Sequence, residues 1–370
     1  MTTVQAPPPE EHHQEELAFL EQHDPGPRPP SWRMTPAAVV TFIMGSKGLV
    51  VKRPQGSGLA IRPKFVGDRA LVERCVITLA GQRGLLLVGE PGTAKSMLSE
   101  LLAAAISGSS GLTLQGTAGT TEEQLRYSWN YALLLARGPH PEALVASPIL
   151  TAMRQGALAR VEELTRCLPE VQDALVSILS DRRLSVPELG LSEFAQRGFN
   201  VIATANLRDR GVSEMSSALK RRFNFEVVPP ISDLAAEVEL VKRQAMAVLT
   251  GVGRPFQLDD SILEALVTAF RDLRLGRSVE GWAVERPGTV MSTAEAVAVA
   301  SSMALQATYF ETQRDPLSLV PGYLLGVVSK DDPKDRGRLL AYWDGAVRRR
   351  AEEGARLWKR LLELRTVLQD

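Results

Sequence analysis

The amino-acid sequence predicts an α/β protein in which a parallel sheet is flanked by helices and followed by an all-helical region. Three observations predict this fold class. Short apolar runs alternate with helical patterns between about residues 67 and 230, a glycine-containing loop joins the first run to a helix, and no strand pattern follows Pro229 and Pro230. Such alternation is typical of parallel sheets covered on both faces.

The individual elements follow from apolar periodicity. Strands are predicted at residues 85–88, 112–115, 157–161, 200–205 and 225–228, and helices at 68–80, 96–106 and 169–179. Beyond the proline pair, helices are predicted at 233–250, 259–273 and 292–310, and one long helix from about Lys334. The predicted divisions are a tail (1–34), an N-terminal helix and extended segment (35–66), the α/β domain (67–230), a helical lid (231–333) and a C-terminal helix (334–370).

The first 34 residues are predicted to be disordered. The first thirty contain seven prolines, six acidic residues and one arginine, with few large apolar side chains to offset the entropy of ordering. A short helix at residues 15–21 is possible there, and the histidines His12, His13 and His23 are interpreted as solvated rather than as a metal site. Thr35 is predicted to cap a helix over residues 37–44 that ends at Gly45 and Gly48.

Composition and charge narrow the class of protein. Apolar residues make up 44% of the chain, and 43 basic residues balance 43 acidic ones, which gives no support for a nucleic-acid footprint. The cysteines Cys75 and Cys167 have no metal-ligand spacing and are expected to be reduced thiols. No apolar run approaches the length of a membrane span, and the N-terminus has no signal-peptide pattern, so we expect a cytoplasmic protein.

Residues 89–96, with the sequence GEPGTAKS, have the pattern of a phosphate-binding P-loop. They follow a predicted buried strand and open a helix, so loop amides and the helix N-terminus can point at phosphate groups. The predicted nucleotide-binding residues are Gly89, Glu90, Pro91, Gly92, Thr93, Ala94, Lys95 and Ser96. Lys95 supplies positive charge to the β and γ phosphates, and Ser96 a hydroxyl to Mg²⁺. Ala94 stands where the common pattern has glycine.

Further motifs resemble the MoxR group of AAA+ ATPases over about residues 66–230. They are the stretch LVERCVITLAGQRGLLLVGEPGTAKS, the stretch PILTAMRQGALARVEELTRCLPEVQDALVSIL, and NVIATAN followed by ALKRRF. The resemblance implies an AAA+ P-loop core with a helical lid. The family pattern has a strand that ends in Asp-Glu, then Asn-Arg, then a proline-led helix with a glutamine. This sequence has Glu162-Glu163, Thr165-Arg166, Pro169 and Gln172 in register with that pattern.

The resemblance implies roles that the chemistry of these side chains supports. Glu162 matches the Walker B acid that holds Mg²⁺, and Glu163 the carboxylate that orients or activates the attacking water. Asn206 matches sensor 1, which contacts the γ-phosphate and that water. Arg222 matches the arginine finger that reaches the ATP of a neighbouring subunit, with Arg221 as the alternative.

The sequence departs from the family pattern at two places. Glu162 replaces an aspartate, and Arg160 puts a charge in the predicted strand before it; the alternative interpretation is an exposed, helical glutamate pair that binds no metal. The sensor 2 arginine of the lid aligns with Ala294, so it is either absent or replaced by Arg286. Between residues 120 and 149, Trp129 and Tyr131 either pack locally, or line a pore or contact a substrate. His140 has no assigned role.

The resemblance implies an ATPase that binds and hydrolyses Mg-ATP at the subunit interfaces of a hexameric ring. Its work would be to remodel or mature a partner complex, beside a protein with a von Willebrand factor A domain. Three alternatives remain open. They are a nucleotide-dependent scaffold with little hydrolysis, which Glu162 and the doubtful sensor 2 favour, a nucleic-acid-directed AAA+ motor, and a metabolic kinase. The balanced charge disfavours the motor, and the arginine finger and helical lid disfavour the kinase.

Overall fold

The computed structural model describes residues 7–47, 50–51, 58–206, 213–249, 258–310, 315–330 and 332–369. The chain divides into two compact units. One comprises Met1–Glu90 and Ala94–Val228, and the other comprises Pro91–Thr93 and Pro229–Asp370. The main division follows Val228, two residues before the predicted boundary after Pro230.

The first unit is built on a five-stranded parallel sheet, which confirms the predicted fold class. From one edge to the other the strands are Phe223–Val227, Gly84–Val88, Asn200–Ala205, Leu158–Glu162 and Thr113–Gln115. The three central strands are buried along their whole length, which accounts for their unbroken apolar character. Because all five strands run the same way, their carboxyl ends lie at one edge of the sheet.

Helices cover both faces of this sheet. The helices of this unit after residue 34 are Pro36–Met44, Arg69–Ala80, Lys95–Ser107, Glu122–Leu125, Tyr131–Arg137, Pro148–Gln155, Pro169–Asp181 and Ser217–Lys220, with 3-10 turns at Pro141–Ala143, Leu164–Arg166 and Pro187–Leu189. Tyr131–Arg137 has no buried residue and does not pack on the sheet. The predicted cap is confirmed, since the Thr35 side chain accepts a hydrogen bond from the Ala38 amide. Gly45 follows the last residue of that helix, and the second predicted stop, Gly48, lies outside the described residues.

Antiparallel strand pairs were not predicted from the sequence. Tyr127–Trp129 pairs with Leu144–Ala146, Arg183–Val186 with Leu191–Phe194, and Val50–Val51 with Leu59–Ala60. These strands are two to four residues long. In such short strands the alternation of apolar and polar residues is too brief to be recognised.

The predicted disorder of residues 1–34 is wrong for the described residues 7–34. Two helices form there, Pro9–His12 and Gln14–His23. Phe19, Leu20, Trp32 and Met34 are buried in the core that also contains the Pro36–Met44 helix. The large apolar side chains of the described part of this segment all lie in or against one core, and a composition count does not detect that placement.

The second unit is helical. Its helices are Leu234–Val248, Asp260–Leu275, Thr293–Tyr309, Val320–Val328, Asp335–Tyr342, Arg348–Glu352 and Arg356–Glu363, with a π-helical turn at Trp343–Val347 and 3-10 turns at Pro316–Leu319 and Leu364–Leu368. Thr250, the predicted end of the first of these helices, lies outside the described residues. Trp343 and Leu361 belong to the same core as the lid helices.

The single C-terminal helix predicted from Lys334 is a wrong prediction. The helix is interrupted after Glu352, where Gly354 has a φ of 94°, and a new helix starts at Arg356. Glycine adopts this backbone conformation without steric cost, so the chain can turn there. The turn lets Leu361 and Leu368 reach the core of the unit.

Both cysteines are free thiols and are buried. Burial raises the pKa of Cys75 to about 12 and also raises the pKa of Cys167. Among the residues that the structure describes, no helix is long and apolar enough to cross a membrane.

Candidate functional site

The predicted P-loop lies at the carboxyl edge of the parallel sheet. It joins the Gly84–Val88 strand to the Lys95–Ser107 helix. Gly92 has a φ of 75°, and Ala94 adopts the left-handed conformation with a φ of 64°. Ala94 precedes the helix and makes no side-chain cap, so no side chain at that position competes for the first helix amides.

Lys95 is turned back onto the loop that precedes it. Its Nζ donates hydrogen bonds to the carbonyl oxygens of Gly89, at 3.1 Å, and Glu90, at 2.7 Å. The residue is only 5% exposed. A buried ammonium group requires compensating oxygen atoms, and phosphate oxygens are ligands of the same kind.

Ser96 and Glu162 are in direct contact at this edge. The Ser96 Oγ donates to the Glu162 Oε2 over 2.7 Å, although the two residues are 66 positions apart in the sequence. Glu162 is the last residue of its strand and is 7% exposed, so it is not part of an exposed helical pair. The hydroxyl and the carboxylate that the sequence analysis assigned to Mg²⁺ therefore lie together.

The Glu162 carboxylate is held in its ionised form by its surroundings. Burial raises the pKa of Glu162, but hydrogen bonds from Ser99, Ser96 and Thr204, together with the positive charge of Arg160, outweigh that effect and lower it overall. The Ser99 and Thr204 contacts were not predicted. Ser99 lies one helical turn beyond Ser96, so its spacing was the available signal.

Glu163 points toward Asn206. The Asn206 Nδ2 lies 2.9 Å from one Glu163 carboxylate oxygen and 3.2 Å from the other. The Arg166 Nε also donates to Glu163, at 3.1 Å. The Asn206 Oδ1 is buried and has no hydrogen-bond partner among the described residues. A water molecule could supply the missing donor beside the carboxylate.

Arg222 lies at the amino-terminal ends of the sheet strands, whereas the P-loop lies at their carboxyl ends. It precedes the Phe223–Val227 strand, and its carbonyl oxygen accepts from the amide of Gly84, the first residue of the strand that leads to the P-loop. Its Nε donates to the Ser180 Oγ at 2.7 Å, and its Nη1 to the Ala218 carbonyl at 3.1 Å. A strand of five residues is roughly 16 Å long, so Arg222 is remote from its own P-loop.

Comparison with known proteins identifies the family. The chain is 46% identical over 348 residues to the uncharacterized protein YehL of Escherichia coli strain K12, and the match covers 93% of each chain. A model described as the YehL-like AAA+ ATPase C-terminal domain matches residues 235–369, and one described as an AAA domain of the dynein-related subfamily matches residues 84–223. The chain belongs to the YehL-like family of AAA+ ATPases.

More distant similarities extend beyond the YehL-like family. The uncharacterized protein SH1500 of Staphylococcus haemolyticus is 28% identical over 195 residues, which cover 52% of this chain and 68% of that protein. A crystal structure of NtrX from Brucella abortus in complex with ADP is 11% identical and has a TM-score of 0.48, with 82% of this chain and 63% of that chain covered. The two family models and the similarity to YehL, and not these distant matches, confirm the predicted resemblance at the level of AAA+ ATPases. The MoxR assignment stays a prediction.

The residue that the resemblance aligns with the sensor 2 arginine is Ala294, and this alignment stays a prediction. Ala294 is the second residue of the Thr293–Tyr309 helix and is exposed. Arg286 lies in the preceding loop, where its Cγ is 2.7 Å from the position that a Cβ on Gly276 would occupy. The side chain of Arg286 thus packs across Gly276, and a role for it in nucleotide binding stays a prediction.

The insertion between residues 120 and 149 presents apolar side chains to solvent. Tyr131 is 60% exposed and Leu135 is 88% exposed, both on the Tyr131–Arg137 helix, which has no buried residue. Trp129 is half-buried and makes an edge contact with Tyr127. Local packing therefore accounts for Trp129 but not for Tyr131.

The residues at the carboxyl edge fit a magnesium nucleotide. The loop provides backbone amides at a helix N-terminus, Lys95 provides a buried positive charge, and Ser96 with Glu162 provides a hydroxyl and an ionised carboxylate. Mg²⁺ prefers oxygen ligands and keeps several waters, so a hydroxyl and a single carboxylate suffice beside phosphate oxygens. Family membership and this arrangement together support nucleotide binding.

Proposed function

We propose that this chain is a MoxR-type AAA+ ATPase that binds and hydrolyses Mg-ATP between the subunits of a hexameric ring and uses the energy to remodel a partner protein complex. The observation that carries the proposal is the Glu163–Asn206 contact next to the Ser96–Glu162 contact. The first pair suits the alignment of an attacking water molecule, and the second suits a metal on the phosphates.

The ring assembly is supported by the location of Arg222. This arginine lies at the amino-terminal ends of the sheet strands, away from the P-loop at their carboxyl ends, so it cannot contact a nucleotide bound to its own chain. A half-exposed arginine at the amino-terminal ends is well placed to reach the nucleotide of a neighbouring subunit. In a closed ring every subunit would give one arginine and receive one, which is a head-to-tail arrangement.

Within this proposal each side chain has a distinct task. Lys95 and the loop amides bind the phosphates, and bound Mg²⁺ would withdraw electrons from them while being held by Ser96 and Glu162. Glu163 accepts a proton from, or orients, the attacking water, and Asn206 fixes the position of that carboxylate. Arg222 of the adjacent subunit stabilises the charge that develops on the transferred phosphoryl group.

We also propose that the chain contacts a partner protein. The exposed apolar residues Tyr131 and Leu135 support a contact with another protein, because contiguous exposed apolar side chains mark interaction sites. The MoxR resemblance points to a protein with a von Willebrand factor A domain as co-worker. We further propose a cytoplasmic location.

ATP turnover per subunit, measured across a protein-concentration series, tests the proposal. We expect specific activity to rise with concentration for the wild type, and to fall by at least about a hundredfold in Glu163→Gln and Arg222→Ala while ATP binding remains. Arg69→Ala, which removes an exposed arginine from a surface helix, is the matched control. Wild-type activity that is independent of concentration, or an Arg222→Ala variant with full activity, would contradict the shared site.

A scaffold that binds nucleotide but hardly hydrolyses it is the second candidate. The positive charge of Arg160 beside Glu162 favours the scaffold. An ionised carboxylate whose charge is offset by a neighbouring cation attracts Mg²⁺ less strongly. ATP binding without turnover at every protein concentration, with the wild-type chain, would support the scaffold over the motor.

A further inference from the structure

Arg160 is buried beside the predicted magnesium position. It lies two residues before Glu162 on the same strand, so both side chains project from the same face of the sheet. The Arg160 side chain is 5% exposed. That face is covered by the helix that carries Ser96 and Ser99, and the guanidinium group is therefore enclosed between strand and helix.

Each nitrogen of the guanidinium group has a hydrogen-bond partner there. Its Nε donates to the Ser99 Oγ at 3.0 Å, and its Nη1 donates to the Ser110 carbonyl oxygen at 2.9 Å. The Nη2 donates to the Glu162 Oε1 at 2.7 Å and lies 3.3 Å from the Glu100 Oε1. A charge held by this many partners in a buried place is fixed in position.

The carboxylate oxygens of Glu162 also have a full set of hydrogen-bond donors within the chain. Its Oε1 accepts from Arg160 and from the Ser99 Oγ at 2.6 Å, and its Oε2 accepts from the Ser96 Oγ and the Thr204 Oγ1, both at 2.7 Å. Two oxygens with two acceptor directions each are thus all used within the chain. A water molecule on a bound Mg²⁺ could hydrogen-bond to Glu162 only by displacing one of these donors.

We propose that Arg160 is a positioning residue that supplies a permanent positive charge at the Walker B carboxylate, so that nucleotide binding depends only weakly on Mg²⁺. The inference deepens the proposed function and rests on nucleotide binding at this P-loop. Arg160 and Glu162 together carry no net charge, where the carboxylate alone would carry one negative charge. Electrostatic attraction for a divalent cation is therefore weakened, and repulsion of the polyphosphate by the carboxylate is cancelled.

The experiment measures equilibrium binding of the slowly hydrolysed analogue ATPγS in excess Mg²⁺ and in excess EDTA. The readout is the dissociation constant in EDTA divided by the dissociation constant in Mg²⁺. This ratio does not depend on catalysis. It is measured for the wild type, Arg160→Gln and Arg160→Lys. Glu100→Gln is the matched control, because Glu100 also contacts Arg160 but its side chain is 41% exposed, and its charge is screened by solvent.

We expect a wild-type ratio below about tenfold, a ratio at least about tenfold larger in Arg160→Gln, and ratios within about threefold of wild type in Arg160→Lys and Glu100→Gln. Retention by lysine separates the charge from a merely structural role of the side chain. Circular dichroism establishes whether Arg160→Gln folds.

A wild-type ratio above about a hundredfold overturns the inference whether or not Arg160→Gln folds, and leaves the proposed function intact. So does a folded Arg160→Gln variant with an unchanged ratio. Absence of ATPγS binding in both solutions overturns the proposed nucleotide site and the inference with it.

Discussion

The side-chain amide of Asn206 lies 2.9 Å from the carboxylate of Glu163, across two neighbouring parallel strands. Glu163 has a left-handed backbone with a φ of 55°, and its own amide donates to the Thr204 Oγ1 at 3.0 Å. A glutamate held at its main chain and at its carboxylate has a defined direction. Such preorganisation is what alignment of an attacking water requires.

Asn206→Ala is expected to reduce ATP turnover on the order of tenfold to a hundredfold, because the Glu163 carboxylate loses its fixed position. Affinity for ATPγS should change by less than about threefold, since the P-loop is unaltered. Steady-state turnover and equilibrium binding, measured on the same preparations, check this. Asn224→Ala, which removes an amide that contacts Thr78 instead, is the control. Equal losses of turnover in the two variants would argue against a specific role for Asn206.

The order of the site residues along the chain was predictable because each follows or ends a strand of a parallel sheet. Glu162, Glu163 and Asn206 were assigned from motifs, and the structure brings them to the same edge as Ser96. The contact between Arg160 and Ser99 was not predictable. It depends on which face of the P-loop helix lies on the sheet, and that is decided by packing of the whole unit.

Ala94 occupies a left-handed position, where a side chain costs energy. Ala94→Gly is therefore expected to raise the free energy of unfolding by about 0.5–1 kcal/mol, after allowance for the greater freedom of glycine in the unfolded chain. Chemical denaturation followed by circular dichroism measures the change. Ala103→Gly, in the interior of the same helix, should lower the free energy of unfolding by about 1 kcal/mol, and effects of the same sign would contradict this explanation.

Phe19 anchors the N-terminal segment in the core. It is 4% exposed, in the same apolar cluster as Phe42. Phe19→Ala is expected to lower the free energy of unfolding by about 3 kcal/mol, whereas Ala18→Ser, at an exposed position of the same helix, should change it by less than about 0.5 kcal/mol. Thermal and chemical unfolding provide the comparison. No difference between the two variants is the result expected of a disordered tail.

The wrong prediction for this segment has a physical origin. Prolines and acidic residues dominate residues 1–30, but Glu16 pairs with Lys64 and Glu21 pairs with Arg33, so part of the charge is used to hold the segment in place. The second wrong prediction, an unbroken C-terminal helix, overlooked Gly354. The apolar stripe continues on both sides of Gly354, so apolar periodicity alone predicts one helix through it.

Glu280 makes the second unit sensitive to acid. The Nε and Nη2 of Arg350 donate to its two carboxylate oxygens at 2.8 Å and 2.7 Å, and this pairing lowers the pKa of Glu280 from its ordinary value near 4.5 to about 2. Because the pKa is lower in the folded state, the stabilisation is present above pH 4.5 and is lost as the pH falls toward 2.

Glu280→Gln should therefore lose less stability than the wild type as the pH falls from 4.5 to about 2. Chemical denaturation at a series of pH values measures the slope of unfolding free energy against pH. Glu285→Gln, at an exposed position of the same loop, should leave the wild-type slope unchanged. Identical slopes for the wild type and Glu280→Gln would show that the Arg350 pair does not contribute.

The proposed assembly of one active site from two subunits is tested most directly by mixing two inactive variants. Glu163→Gln retains Arg222, and Arg222→Ala retains Glu163, so a mixed ring contains interfaces with both groups intact. If subunits mix at random in equal amounts, about a quarter of the interfaces are complete, and the mixture should recover up to about a quarter of the wild-type turnover. Turnover no higher than that of either variant alone, in rings shown to contain both chains, would contradict the shared site.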